Sequence, residues 1–169
     1  MSVAFDDLSQ KAEARWRKLV SGDRPWIRVG YGTSGQAAGA DAVWEAVQSS
    51  IRVSGNDAIA SRVGSWGLAY AEPLVDVTFP GDLRVFYSQV SPDRAREIVA
   101  RDIERGRPTP EWAFAQYGSA ESVDGIPRLA DMDSVRPPSR LATRNCGNIA
   151  PFHLNKYVTK ARYAALDLT

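Results

Sequence analysis

Apolar side chains recur three or four positions apart at Phe5, Leu8, Ala12, Trp16 and Leu19, while Lys11, Glu13, Arg15, Arg17 and Lys18 fall mostly on the other side. That spacing predicts an amphipathic helix over residues 5–20, ended by Ser21-Gly22-Asp23-Arg24-Pro25. The helix precedes what reads as a complete fold, so it either packs on its own domain or extends toward a partner.

The period then shortens. Trp26-Ile27-Arg28-Val29 reads as a strand running into the loop Gly30-Tyr31-Gly32-Thr33-Ser34-Gly35. Ala37, Ala40, Val43, Trp44 and Val47 restore a helical face over 36–53. Further strands are expected at 59–63, around Leu74, Val75 and Val77, and at 83–87, the last two joined by the turn Pro80-Gly81-Asp82. Ser91-Pro92-Asp93 opens another helix, with proline in its first turn, that turns Ala95, Ile98, Val99 and Ile103 inward as far as Gly106. The order βαβββα predicts a two-layer α/β (α+β) domain over 26–106, preceded by the helical segment 1–25.

Beyond Gly106 the pattern loosens. Pro108, Pro110, Pro127, Pro137 and Pro138 fall among small polar residues, so 107–138 reads as an extended, proline-rich arm. Residues 139–169 read as a docking segment, with a short strand at 139–144 and a helix over 155–166 anchored by Tyr157, Val158, Tyr163 and Leu166. Trp112, Phe114 and Tyr117 in the arm are candidate contacts to another surface, because aromatic residues on extended segments commonly anchor interfaces.

Composition narrows the chemistry. Among 169 residues, 21 Lys+Arg against 20 Asp+Glu give a net charge of +1. That provides no field strong enough to hold nucleic acid or an anionic bilayer by charge alone. No apolar run reaches the ~18 residues of a membrane span, and the acidic start Phe5-Asp6-Asp7 is unlike a secretory leader; a cytoplasmic protein is the expectation. A single cysteine, Cys146, excludes an internal disulfide and any all-cysteinyl metal centre built by this chain alone. With His153 seven residues on, it makes at best an incomplete catalytic pair, and the ordinary role for each is structural.

Two other motifs have everyday explanations. Gly30-x-Gly32-x-x-Gly35 has the dinucleotide spacing between a strand and a helix, but the acidic residue that should end the next strand is missing and no second parallel βα run follows. Glycines in a tight turn explain it as well. Glu72 precedes Pro73, which favours extended backbone and leaves its carboxylate to cap or pair locally.

Three blocks together carry a resemblance: Gly30-Tyr-Gly-Thr-Ser-Gly-Gln-Ala-Ala-Gly39, Gly64-Ser-Trp-Gly-Leu-Ala-Tyr-Ala-Glu-Pro-Leu-Val-Asp-Val77 and Arg144-Asn-Cys-Gly147. They resemble the N-terminal region of the flavoprotein subunit of NADH dehydrogenases. That family includes complex I and its relatives, the diaphorase of NAD-reducing hydrogenases and the β subunit of NAD-dependent formate dehydrogenases. The resemblance implies a thioredoxin-like domain, in which many members hold a [2Fe–2S] cluster through two cysteines in each of two loops. Here those loops offer Gly30, Ser34 and Gly35, then Ser65 and Ala69. Without thiolates the domain is expected to bind no cofactor or metal and to take no catalytic part.

The resemblance also implies that a domain binding FMN and NADH follows Arg144-Asn-Cys-Gly147 and the helix near Tyr163. The expectation is that another chain supplies it, so that FMN, NAD and iron–sulfur clusters reside in partner subunits. The expected function is that of an accessory subunit docking a flavoprotein to iron–sulfur neighbours through Trp112, Phe114, Tyr117, Arg144, Asn145, Tyr157 and Tyr163. Alternatives are an independent thiol- or nucleotide-dependent oxidoreductase using Cys146 or the Gly30 loop, and a transient assembly factor.

Overall fold

In the computed structural model, which describes residues 3–118, 122–132 and 146–149, the α-helices and strands are α1 (Val3–Val20), β1 (Trp26–Gly30), α2 (Thr33–Ala37), α3 (Ala40–Ser54), β2 (Ile59–Val63), β3 (Val75–Phe79), β4 (Leu83–Tyr87), α4 (Pro92–Glu97) and β5 (Ala115–Tyr117). The strands make one sheet in the order β2-β1-β3-β4-β5. β1 and β2 are parallel across the helical crossover, and β3, β4 and β5 pair antiparallel in turn. The Glu72–Pro73 peptide bond ahead of β3 is cis. A βαβ unit followed by an antiparallel hairpin and a helix is the thioredoxin-like arrangement expected from the sequence.

The helices differ from expectation in detail. Gly39 takes φ 99°, a left-handed conformation favouring glycine, and there the single helix expected over 36–53 divides into α2 and α3. Ser91 caps α4 by accepting from the Arg94 N–H at 3.1 Å, with Pro92 in the first turn, and the helix continues as a π-helical stretch over Ile98–Ile103.

The proline-rich stretch holds an element that its sequence does not announce. Ala115–Tyr117 pairs with β4 as a fifth strand. The buried Gln116 side chain then ties down the following loop, donating to the Val123 and Ile126 carbonyls at 2.9 and 2.6 Å and accepting from the Val123 N–H at 2.8 Å. The expected strand at 139–144 and helix at 155–166 lie outside the described residues.

Strand alternation sends the sheet's two faces to different environments. Ile27, Val29, Val75, Val77, Val85 and Tyr87 join Val43, Val47, Ile98 and Val99 in an apolar layer beneath the helices. Burying each aliphatic side chain there contributes roughly 1.5–3 kcal/mol. The one acid in that layer, Asp102, is fully buried and accepts from Tyr87 Oη at 2.7 Å and Thr109 Oγ1 at 2.5 Å, which fixes the start of the arm. Burial, and next the neighbouring carboxylate, push the Tyr87 phenol well above its ordinary value. The opposite face carries Trp26, Arg28, Asp76, Thr78, Arg84 and Phe86, and α1 leans on it through Trp16, edge-on to Trp26 at 6.1 Å. None of the described helices is long and apolar enough to cross a membrane.

Candidate functional site

Two loops meet beyond the ends of β1 and β2. The first runs from Gly30, at the end of β1, through Tyr31 and Gly32 into α2, a helix of only five residues whose first turn holds Ser34 and Gly35. The second, Gly64–Ala69, leads toward the cis-proline. Backbone bonds clamp them, with Gly30 N donating to Leu74 O at 2.8 Å and Tyr31 N to Val63 O at 2.7 Å.

Glu72 fills the space between the loops. Its side chain is buried; Oε1 accepts from Ser65 Oγ at 3.1 Å and Oε2 from the Leu74 N–H at 2.9 Å. Ser65 Oγ in turn accepts from the Gly67 N–H at 3.0 Å. The capping role open to Glu72 in the sequence is the one it plays.

The glycines of the first loop are there because nothing larger fits. A Cβ at Gly32 would lie 2.8 Å from Ser65 Cβ, and one at Gly35 would lie 2.4 Å from the Gly30 carbonyl oxygen. At Gly30 it would approach Glu72 Oε2 to 3.0 Å. These close approaches account for the Gly30-x-Gly32-x-x-Gly35 spacing by packing.

The same geometry tests the cluster that the resemblance implies for many relatives. Iron–sulfur clusters are held by thiolates. The loops present hydroxyls at Ser34 and Ser65 and a methyl at Ala69, and the space between them is taken by the Glu72 carboxylate. These residues do not fit a [2Fe–2S] cluster. Among the described residues no group of three His, Cys, Asp or Glu side chains stands where it could hold a metal.

Cys146 is half-buried, with its thiol free. Beside it, Gly147 closes over the second loop: its N–H donates to the Gly64 carbonyl at 3.1 Å, and a Cβ there would lie 2.1 Å from the Trp66 ring. Its φ of 73° also favours glycine. Two of the blocks that carry the resemblance therefore meet in space.

The anchors proposed from sequence are scattered. Trp112 is half-buried, with the Arg94 and Arg101 guanidinium groups over its ring at 4.1 and 4.8 Å. Phe114 packs edge-on to Tyr70 at 6.3 Å and donates its backbone N–H to Phe86 O at 2.7 Å. Tyr117 is 57% exposed. Arg144, Asn145, Tyr157 and Tyr163 lie outside the described residues, as does His153.

Sequence reasoning missed a buried ion triad on the sheet's second face. Asp76 accepts from Arg28 Nε at 2.6 Å, and from Arg84 Nε and Nη2 at 2.8 and 2.9 Å. All three side chains are buried. Arg84 also reaches Asn148 Oδ1 at 2.7 Å and Gly147 O at 2.8 Å. Arg28 donates to Thr78 Oγ1 and lies over the Trp26 ring at 4.1 Å. Burial pulls the Arg28 guanidinium down to about 10; Asp76 opposes that shift and Arg84 adds to it. The alternation of Arg28, Asp76 and Arg84 with apolar neighbours in adjacent strands was the available signal.

Topology and paired loops together define a thioredoxin-like domain whose loop junction carries no thiolate. The chain belongs to the family of the NADP-reducing hydrogenase subunit HndB of Solidesulfovibrio fructosivorans, to which it is 33% identical over 107 residues, 62% of this chain and 85% of that protein. No protein-family model matches the chain. Among solved structures, the thioredoxin-like [2Fe–2S] ferredoxin from Aquifex aeolicus is similar to 58% of this chain and 98% of its own, at 18% identity and TM-score 0.48. The Cys55Ser variant of that ferredoxin is similar over 54% and 98%, at 20% identity and TM-score 0.48.

Proposed function

We propose that this chain is a non-catalytic subunit of an NAD(P)-linked multisubunit oxidoreductase, holding an FMN- and NAD(P)H-binding flavoprotein against neighbouring iron–sulfur subunits. The observation that carries the reading is kinship over most of its length with a subunit of an NADP-reducing hydrogenase. The loop junction supports the non-catalytic part, since Ser34, Ser65 and Ala69 give iron no thiolate and Glu72 fills the space between the loops. FMN, NAD and the clusters then belong to the partners, and this chain provides shape and contact surface.

The test is affinity purification of the tagged full chain from its native cell under anaerobic conditions. Stoichiometric recovery of a flavin-containing subunit with NAD(P)H-oxidising activity is expected. Recovery of a folded chain with no partner would overturn the proposal.

A further inference from the structure

Residues 146–149 make a turn, outside any helix or strand, that lies across the second loop and the charged face of the sheet. Among the described residues, its hydrogen bonds go to Gly64 and Arg84. Gly147 N–H donates to the Gly64 carbonyl, and Gly64 N–H donates to the Ile149 carbonyl, each at 3.1 Å. Arg84 donates from Nη2 to the Gly147 carbonyl at 2.8 Å and from Nη1 to Asn148 Oδ1 at 2.7 Å.

The seat for this turn is assembled from two parts of the chain. Asp76 aims the Arg84 guanidinium by accepting from Nε and Nη2. The Trp66 ring, edge-on to Phe86 at 5.1 Å and with Arg84 over it at 4.5 Å, is the floor on which Gly147 rests. Closing the turn therefore requires both the second loop and the ion triad to be in place.

Fixing a short stretch of backbone costs conformational entropy of the same order as the net gain from the hydrogen bonds that hold this one. Segments balanced in that way open locally while the core stays shut. The turn also falls inside 139–169, the expected docking segment, with the candidate anchors Arg144 and Asn145 just before it and Tyr157 and Tyr163 after it. It is thus a point at which that segment is tied to the domain.

We propose that residues 146–149 are a strap that opens and closes over the second loop while the sheet stays folded, and that Arg84, through Gly147 and Asn148, sets the position from which the docking segment meets its partner subunit. The positioning role rests on the subunit reading above; the strap itself does not.

Hydrogen–deuterium exchange of the full chain, read by mass spectrometry, tests the strap. Protection at Gly64 and Gly147 is expected to be at least roughly tenfold lower than in β1 and β3. Asn148→Ala and Gly147→Ala each lower protection at Gly64 roughly tenfold further and leave β1 and β3 unchanged, whereas Asn148→Asp, which keeps an acceptor for Arg84 Nη1, matches the wild type. Affinity recovery of the flavin-containing partner on the tagged chain falls roughly fivefold or more with Asn148→Ala and Gly147→Ala and is kept with Asn148→Asp. Protection at Gly64 and Gly147 equal to that of β1 and β3, or a loss in the variants that spreads across the sheet, would overturn the strap. Unchanged recovery in variants whose strap is open would overturn the positioning role alone. If the wild-type chain recovers no partner, the subunit reading falls and takes the positioning role with it, and the exchange result still decides the strap.

Discussion

The two faces of one sheet solve the problem of burial in different ways. Beneath the helices, Ile27, Val29, Val77 and Val85 are sealed by Val43, Val47, Ile98 and Val99, a layer that needs only volume and shape. One residue along the same strands, on the other face, Arg28, Asp76 and Arg84 are almost as deeply buried and need one another. An apolar layer tolerates trimming in proportion to what is removed. A buried ion group depends on which member is lost, because the remainder is left balanced or unbalanced. The helical face therefore depends on volume and shape, and the charged face on keeping its charges paired.

Substitutions can break that comparison. Asp76→Asn strands two guanidinium groups and is expected to have the largest effect, a loss of about 3–5 kcal/mol in urea unfolding. On the helical face, Ile27→Ala removes a fully buried side chain and should cost about 3 kcal/mol by the same measurement. At the loop junction, Gly35→Ala forces a methyl group against the Gly30 carbonyl and should lower the unfolding midpoint by an amount equivalent to about 1–3 kcal/mol. Smallest of all, Arg28→Met should change stability by no more than about 1 kcal/mol in either direction, since Asp76 keeps Arg84. A large loss there would mean that Arg28 is structural.

Alkaline titration sharpens the same contrast. Tyr87, under the helices, has its folded value raised, so its contribution is intact below the ordinary phenol value near 10 and is lost as pH rises above it, where the unfolded chain ionises first. Arg28 is shifted the other way, down to about 10, so the cost of burying its charge is full below about pH 10 and is relieved as pH climbs above that toward the ordinary guanidinium range. Between these limits Tyr87→Phe should flatten the alkaline loss of stability, and Arg28→Met should steepen it. Unfolding curves at a series of alkaline pH values read both slopes.

Much of this was legible in the sequence. Periodicity placed β2 and β4 at their observed ends, and Ser91-Pro92 marked the start of α4, because caps and alternation act locally. β5 was hidden because Ala115–Tyr117 is three residues long and sits among prolines; it becomes a strand only by pairing with β4. The division at Gly39 was equally hard to see, since nothing but its backbone angle separates α2 from α3. The loop junction was half visible. Missing thiolates could be counted, whereas the closure by Glu72 depends on residues 65, 72 and 74 meeting in space. The ion triad could have been seen, had opposite charges in neighbouring strands been read as one face.

The central claim is that the loop junction holds shape and relays no electrons. Anaerobic purification of the full chain, followed by iron and acid-labile sulfide analysis with an electron paramagnetic resonance spectrum after dithionite reduction, tests it most directly. The account predicts no iron, no sulfide and no signal from the folded chain; two irons and two sulfides bound per chain, with a reduced-cluster spectrum, would contradict it.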